Sequence, residues 1–211
     1  MSQFDASLFR DAAQALCDYG KTLYQRNWSP ATSSNYSVRL NASCCAITSS
    51  GKHKGELTPE DILVADWNNQ ALTPGKPSAE TGLHTQLYQR DEQIGAVLHT
   101  HSPTAVILSQ IWPDDVLSIS GWELQKAFAG ERSHENTLHI PLFDNDQNID
   151  RLAQAVEESM QQNQQGHAYL IRGHGVYTWG QDLTECFRHL EALEHLLGYQ
   201  LELLKMKHSR F

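Results

Sequence analysis

A three-layer α/β or α+β domain is the fold class that this sequence predicts. The first observation is a mixture of short β-prone runs and amphipathic stretches that lacks the strict βαβ rhythm of a parallel sheet. The second is the last long segment, where Leu183, Phe187, Leu190, Leu193, Leu197, Leu201 and Leu204 keep one apolar face at helical spacing. The third is size. A chain of 211 residues, 40% of them hydrophobic, can build its own core and is read as one domain over residues 1–211.

The elements follow in chain order. Residues 5–26 read as an amphipathic helix, with Phe9, Ala13, Leu16, Leu23 and Tyr24 close to one face. Ser29-Pro30-Ala31-Thr32-Ser33-Ser34-Asn35 is a polar loop. Strand-like pieces at 36–40 and 45–48 come next, then a polar turn at Ser49-Ser50-Gly51-Lys52. Thr58-Pro59-Glu60-Asp61 has the chemistry of a helix start: a Thr cap, Pro in the first turn and acids at the positive dipole end. Ile62 to Trp67 reads as a strand. A helix opens at Ser78-Ala79-Glu80 and runs to the neighbourhood of Arg90. Ile94 to His99 is an apolar, β-prone run, and Ser102-Pro103 caps and starts a helix through Gln110. Residues 137–142 read as a strand and 149–163 as a helix, with a soft polar end at Gln161 to Gln165. Strands at 168–172 and Val176 to Trp179 precede the final helix. Trp112–Gly121 and Ser133–Thr137 are left as loops or connections.

Charge and cysteine usage exclude some classes. The formal charge is −9, from 16 basic and 25 acidic residues, with no Lys/Arg stripe. Such a chain has little general attraction for nucleic acid, so any bound phosphate belongs in one small pocket. Cys17, Cys44, Cys45 and Cys186 form no CxxC pair and are read as reduced thiols in a cytoplasmic setting. Met1-Ser2-Gln3-Phe4-Asp5 has neither a basic nor an apolar leader region, so no secretory signal is expected. No apolar run approaches the ~18 residues of a membrane span.

Three of the eleven histidines stand apart. His99 and His101 lie at the end of a strand, where side chains at i and i+2 share a face, so both imidazoles can converge on one point. His174 follows a strand inside Arg172-Gly173-His174-Gly175, where flanking glycines allow a tight bend and leave the ring room. Three neutral imidazoles with one open position describe a catalytic zinc site. A His-x-His on a strand is also compatible with ordinary packing, and so is Gly-His-Gly. His53, His84, His134, His139, His167, His189, His195 and His208 are read as packing or surface residues.

The block Ala96-Val97-Leu98-His99-Thr100-His101-Ser102-Pro103 resembles the metal motif of the class II aldolase/adducin family. Pro77-Ser78-Ala79-Glu80 before it and Gly173-His174-Gly175 after it fit that family in order and spacing, and the resemblance covers nearly the whole chain. It implies a class II aldolase-like fold, three α/β/α layers around a central, mostly antiparallel sheet. It also implies one zinc ion (Zn2+) per subunit on His99, His101 and His174, and a homotetramer with active sites near subunit interfaces. A dehydratase branch of the family matches more closely still. The strings that carry this are Leu170-Ile171-Arg172-Gly173-His174-Gly175-Val176-Tyr177-Thr178-Trp179-Gly180, Ile47-Thr48-Ser49-Ser50-Gly51-Lys52 and Lys76-Pro77-Ser78-Ala79-Glu80. The implied activity is that of a lyase removing water from a small sugar phosphate.

The resemblance also suggests roles. Three loops are expected to hold the substrate phosphate, through Ser33, Asn35, Ser49, Ser50, Gly51, Lys52 and Ser78, with Lys52 as the main cation. Read alone, each loop is simply a turn. Glu80 matches a glutamate that lies near the metal and moves protons in the aldolases; read alone, it is a first-turn acid of its helix. Glu123, in Gly121-Trp122-Glu123-Leu124, matches the acid of the dehydratase branch by its distance from His101. It is expected to be the general acid/base, with Glu80 as partner or metal-site residue; read alone, it is a surface carboxylate. Two alternatives stay open: a sugar phosphate aldolase or epimerase of the same fold, and a non-enzymatic adducin-like binding module. The presence of all three histidines argues against the second.

Overall fold

The computed structural model describes residues 4–162 and 166–208, the last by its backbone alone. Residues 1–3 of the N-terminal segment, 163–165 of the predicted polar helix end and the side chain of His208 lie outside it. The strands are β1 (Asn35–Arg39), β2 (Cys44–Thr48), β3 (Ile62–Asp66), β4 (Ala96–Thr100), β5 (Val116–Ile119), β6 (Leu138–Phe143), β7 (Ala168–Ile171) and β8 (Gly175–Gly180). They form one sheet in the order β3-β2-β1-β4-β8-β7-β6-β5. Neighbours pair antiparallel throughout except β6 with β7. The mostly antiparallel sheet is therefore as the family resemblance implies.

Helices α1 (Ala6–Gln25), α2 (Thr81–Arg90), α3 (Pro103–Ile111), α4 (Ile149–Gln162) and α5 (Leu183–His208) cover the two faces. Leu16, Leu98, Leu108, Leu190, Leu193 and Leu197 share one core, which gathers α1, α3 and α5 on one side. Leu63, Leu83, Leu87, Val97, Leu152 and Val156 form the other, under α2 and α4. Alternation along β4 sends Leu98 to the first core and Val97 to the second. His99 inherits the side of Val97 and so faces α2. Among the described residues no helix is long and apolar enough to cross a membrane.

Local chemistry fixes the helix starts. Asp5 caps α1, its carboxylate accepting from the Ser7 and Leu8 N–H groups at 2.6 and 3.2 Å. Ser102 Oγ accepts from Ala105 N–H at 3.0 Å, and Pro103 supplies the preset first turn of α3. The signals at Thr58 do less than they predict. Asp61 accepts from the Thr58 N–H and hydroxyl at 3.0 and 3.1 Å, but the capped turn, Pro59–Asp61, is a single 3-10 turn. The chain then enters β3, because Ile62–Ala65 is apolar and pairs with β2. Strand β5 is missed by the sequence reading. It has only four residues, alternately exposed and buried, and is ordered by pairing with β6.

Cross-strand register prepares the site. Asn35 lies opposite His99, His99 opposite Tyr177, and Tyr177 opposite Tyr169. This row runs across four strands on the face that α2 covers. The end of β4, the β7–β8 turn and the N-terminus of α2 meet there.

Candidate functional site

His99 is fully buried. Its Nδ1–H donates to the Val176 carbonyl at 2.9 Å, which leaves Nε2 as a bare lone pair. His101 follows the strand end, and its Nε2 lies 2.7 Å from that of His99. His174 comes from the turn between β7 and β8, closed by its N–H on the Ile171 carbonyl at 3.1 Å. Both flanking glycines are needed. Gly173 has φ +63°, and a Cβ at Gly175 would lie 2.1 Å from the Thr100 carbonyl oxygen. His174 Nδ1 meets the amide oxygen of Asn145 at 3.2 Å, which turns Nε2 inward.

One ligand atom from each of His99, His101 and His174 lies within 4.8 Å of the others. Burial pushes His99 down to about 3 and His101 down to about 2, so both are uncharged at neutral pH. Neutral imidazoles with converging lone pairs repel one another, and a divalent cation between them removes that repulsion. The donor set fits such an ion: three nitrogens, two of them oriented from behind by a carbonyl or amide oxygen, and a carboxylate alongside.

That carboxylate is Glu80, at the N-cap of α2. Its side chain does not cap the helix. It turns to the histidines instead, with oxygens 2.9 Å from His174 Nε2 and 3.3 Å from His99 Nε2. Asn35 Nδ2 donates to it at 2.6 Å and the Tyr177 hydroxyl at 3.1 Å. Burial alone would raise its pKa. Donors around it, Asn35 among them, draw it the other way, below the usual carboxylate range.

Beside the trio is a cavity of about 200 Å³ that opens onto Glu80 and His101. Ser33, Asn35, Ser49, Ser50, Gly51 and Ser78, all predicted to hold phosphate, line it. Lys52 does not. Its ammonium pairs with Asp61 at 2.7 Å on the surface. The lysine at the cavity is Lys54, whose side chain is buried and donates to the backbone carbonyls of Thr32 and Lys52 at 3.3 and 2.6 Å. Burial lowers it to about 8. The sequence reading misses Lys54 because its burial is set from α1: a Cβ at Gly20 would lie 2.6 Å from the Lys54 carbonyl oxygen, so Gly20 lets the turn pack close. A second cavity, about 320 Å³, shares Ala79, Glu80 and His101 and extends past His174 to Asn145 and Ile149. The two cavities flank the histidines.

Glu123 is not brought to this place within the chain. It begins a 3-10 turn, its side chain is 69% exposed, and it lines neither cavity. It pairs with Lys126 at 2.6 Å and His134 at 3.0 Å. Lys126, and then His134, draw its pKa down.

A model of the class II aldolase and adducin N-terminal domain matches residues 14–201. The chain belongs to the class II aldolase and adducin family. Within that family it is 50% identical over 206 residues to a protein of Alcanivorax borkumensis named methylthioribulose-1-phosphate dehydratase, covering 98% of each chain. It is 51% identical over 191 residues to a Pseudomonas fluorescens protein of the same name, covering 90% of this chain and 92% of the relative. Among solved structures, an L-fuculose 1-phosphate aldolase superposes with a TM-score of 0.79 at 24% identity, over 98% of this chain and 91% of that one. At that identity the likeness speaks for the class II aldolase fold alone. In a family that is typically metal-dependent, His99, His101 and His174 form a possible metal site.

Proposed function

We propose that this class II aldolase-family enzyme dehydrates 5-methylthioribulose 1-phosphate to 5-methylthio-2,3-dioxopentyl phosphate, a hydro-lyase step of methionine salvage. The observation that carries the reading is near full-length likeness to dehydratases of that name. A three-imidazole cluster beside an anion-sized polar cavity supports it. On this reading the enzyme is a cytoplasmic homotetramer with one zinc ion on His99, His101 and His174 of each subunit.

The Lys54 ammonium has only carbonyl partners among the described hydrogen bonds, so a phosphate dianion answers a buried cation that lacks a counterion in contact. Hydroxyls of Ser33, Ser49, Ser50 and Ser78 surround the same cavity. With phosphate there, the carbon chain crosses the histidines toward the second cavity, and Ile149 offers its methylthio end an apolar wall.

Zinc held by His99, His101 and His174 would supply Lewis acidity toward the substrate ketone. The C3 proton is then acidic, and Glu123 removes it. The electron pair left by that proton expels the C4 hydroxyl, which takes a proton from Glu123 and leaves as water. The resulting enol tautomerises to the 2,3-diketone. Glu80 stays ionised and keeps the donors around it in place. Glu123 enters from a neighbouring subunit, which its exposure and its absence from both cavities of its own chain favour.

The test is turnover of 5-methylthioribulose 1-phosphate by the zinc-loaded protein. The expected product is the diketone phosphate, with no aldehyde fragment. Retro-aldol cleavage of L-fuculose 1-phosphate without any dehydration would overturn the reading in favour of the aldolase. Protein that takes up no metal from added zinc would favour the binding module.

A further inference from the structure

Behind Glu80, a line of buried polar groups runs inward from Asn35, which also lines the smaller cavity. Asn35, on β1, is 4% exposed; Ser37, two residues on, and His84, one helical turn into α2, are fully buried; Tyr88, one turn further, is 2% exposed. His84 Nε2 meets Asn35 Oδ1, and His84 Nδ1 meets Ser37 Oγ at 2.7 Å. Ser37 Oγ in turn meets the Tyr88 hydroxyl at 2.7 Å.

The direction of every bond in this line follows from one fact. The Asn35 amide turns its NH2 to Glu80, Nδ2 donating to the carboxylate at 2.6 Å. The amide oxygen then faces His84, so His84 carries its proton on Nε2 and donates. Its Nδ1 is left as an acceptor and takes the Ser37 hydroxyl proton. Ser37 Oγ in turn accepts from Tyr88. All the donors point toward Glu80. Burial lowers His84 to about 3, so the ring is neutral and has one donor and one acceptor, as the line requires. A fully satisfied buried network of this kind selects one arrangement, because any reversed member leaves two acceptors or two donors facing each other.

We propose that His84 is a positioning residue for the metal centre: by donating to Asn35 Oδ1 it locks the Asn35 amide with its NH2 toward Glu80, and so holds that carboxylate across His99 and His174. Without the His84 donor the amide is free to turn, and its oxygen would then oppose the carboxylate. The proposal rests on the metal half of the function proposed above and is independent of the substrate.

Two substitutions separate this role from plain packing. His84→Gln keeps an amide donor near the Nε2 position. His84→Asn keeps a partner for Ser37 but is too short to reach Asn35. Zinc is titrated into the metal-free full-length chain against a chromophoric chelator, for both variants and for each combined with Glu80→Gln. The Asn variant is expected to bind zinc about 10-fold more weakly, the scale of a lost outer-shell partner. The Gln variant should stay within about 3-fold of the parent, and the Asn effect should vanish in the Glu80→Gln background. In the loaded enzyme the Asn variant should lower kcat and leave KM near that of the parent. Parental zinc affinity in the Asn variant overturns the proposal. So does an Asn effect that persists undiminished without Glu80, since that marks a general packing defect. Should the Asn variant not fold, Asn35→Ala removes the link itself: about 10-fold weaker zinc binding is expected, and unchanged binding overturns the proposal. If the parent fails to turn over methylthioribulose phosphate, the substrate reading falls while the zinc series still decides this one.

Discussion

Glu80 and Glu123 carry the same side chain in opposite surroundings. Around Glu80, four elements converge: β1 supplies Asn35, β4 supplies His99, the β7–β8 turn supplies His174 and β8 supplies Tyr177. Its side chain is 16% exposed, and its charge survives burial because Asn35 and Tyr177 donate to it. Around Glu123, among the described residues, its own loop takes part, through Lys126 and His134. That pair stands in water, where such contacts contribute little. A carboxylate bound as firmly as Glu80 is suited to stay charged and hold a geometry. The proton-carrier role proposed for Glu123 needs a side chain that is not held in this way, and within its own chain Glu123 is 69% exposed. Glu194 is the third case. It is buried on α5 with a single donor among the described residues, Ser102 Oγ at 2.6 Å, and burial pushes it up to about 7. Burial with many donors keeps a charge, and burial with one does not.

The largest effect that tests this contrast is loss of the metal. His101→Ala should reduce the zinc content of the purified protein from stoichiometric to background and abolish turnover. Normal zinc content in that variant would remove His101 from the centre. Next comes Glu123→Gln, which should keep its zinc and lose turnover on the order of 100-fold or more. Mixed assemblies of Glu123→Gln and His101→Ala subunits should regain activity, because each supplies what its neighbour lacks. Unchanged turnover in the single variant takes Glu123 out of the mechanism, and no recovery in the mixture rules out a shared site.

A smaller effect separates the two lysines. Lys54→Met should raise KM about 10- to 100-fold, the weight of a charge-assisted hydrogen bond to a buried anion. Lys52→Met should change it by less than about 3-fold, since that lysine makes an exposed ion pair. Equal effects would contradict the placement of phosphate at Lys54.

The smallest effect belongs to Glu194. Its folded pKa is raised, so its contribution is fully present below the unfolded value and is lost as pH rises through about 7. Glu194→Gln should therefore melt with the parent near pH 5 and above it at pH 8.5, by about 3 °C or more. Identical melting at both pH values would show that the acid is not protonated in the fold.

Much of the site is legible in the chain itself. His99 and His101 converge because alternation on a strand is a two-residue rule. His174 reaches them because Gly173 and Gly175 permit a turn that other residues forbid. The cavity hydroxyls also sit in recognisable turns. The groups that a short stretch does not tell apart are of another kind. Lys52 and Lys54 look alike in a polar turn, and His84 looks like any histidine on a helix.

By itself, then, the sequence determined the layered class of the fold, the strand-end pair and the glycine-flanked third histidine, because each depends on residues a few positions apart. Only the tertiary structure decided which lysine faces the cavity, what holds Glu80 and where Glu123 stands. Lys54 is buried by the close approach that Gly20 of α1 allows, and Glu80 is held by Asn35, Tyr177 and two histidines from separate elements. Contacts between elements distant along the chain depend on how the layers dock, and no short stretch of residues carries that information.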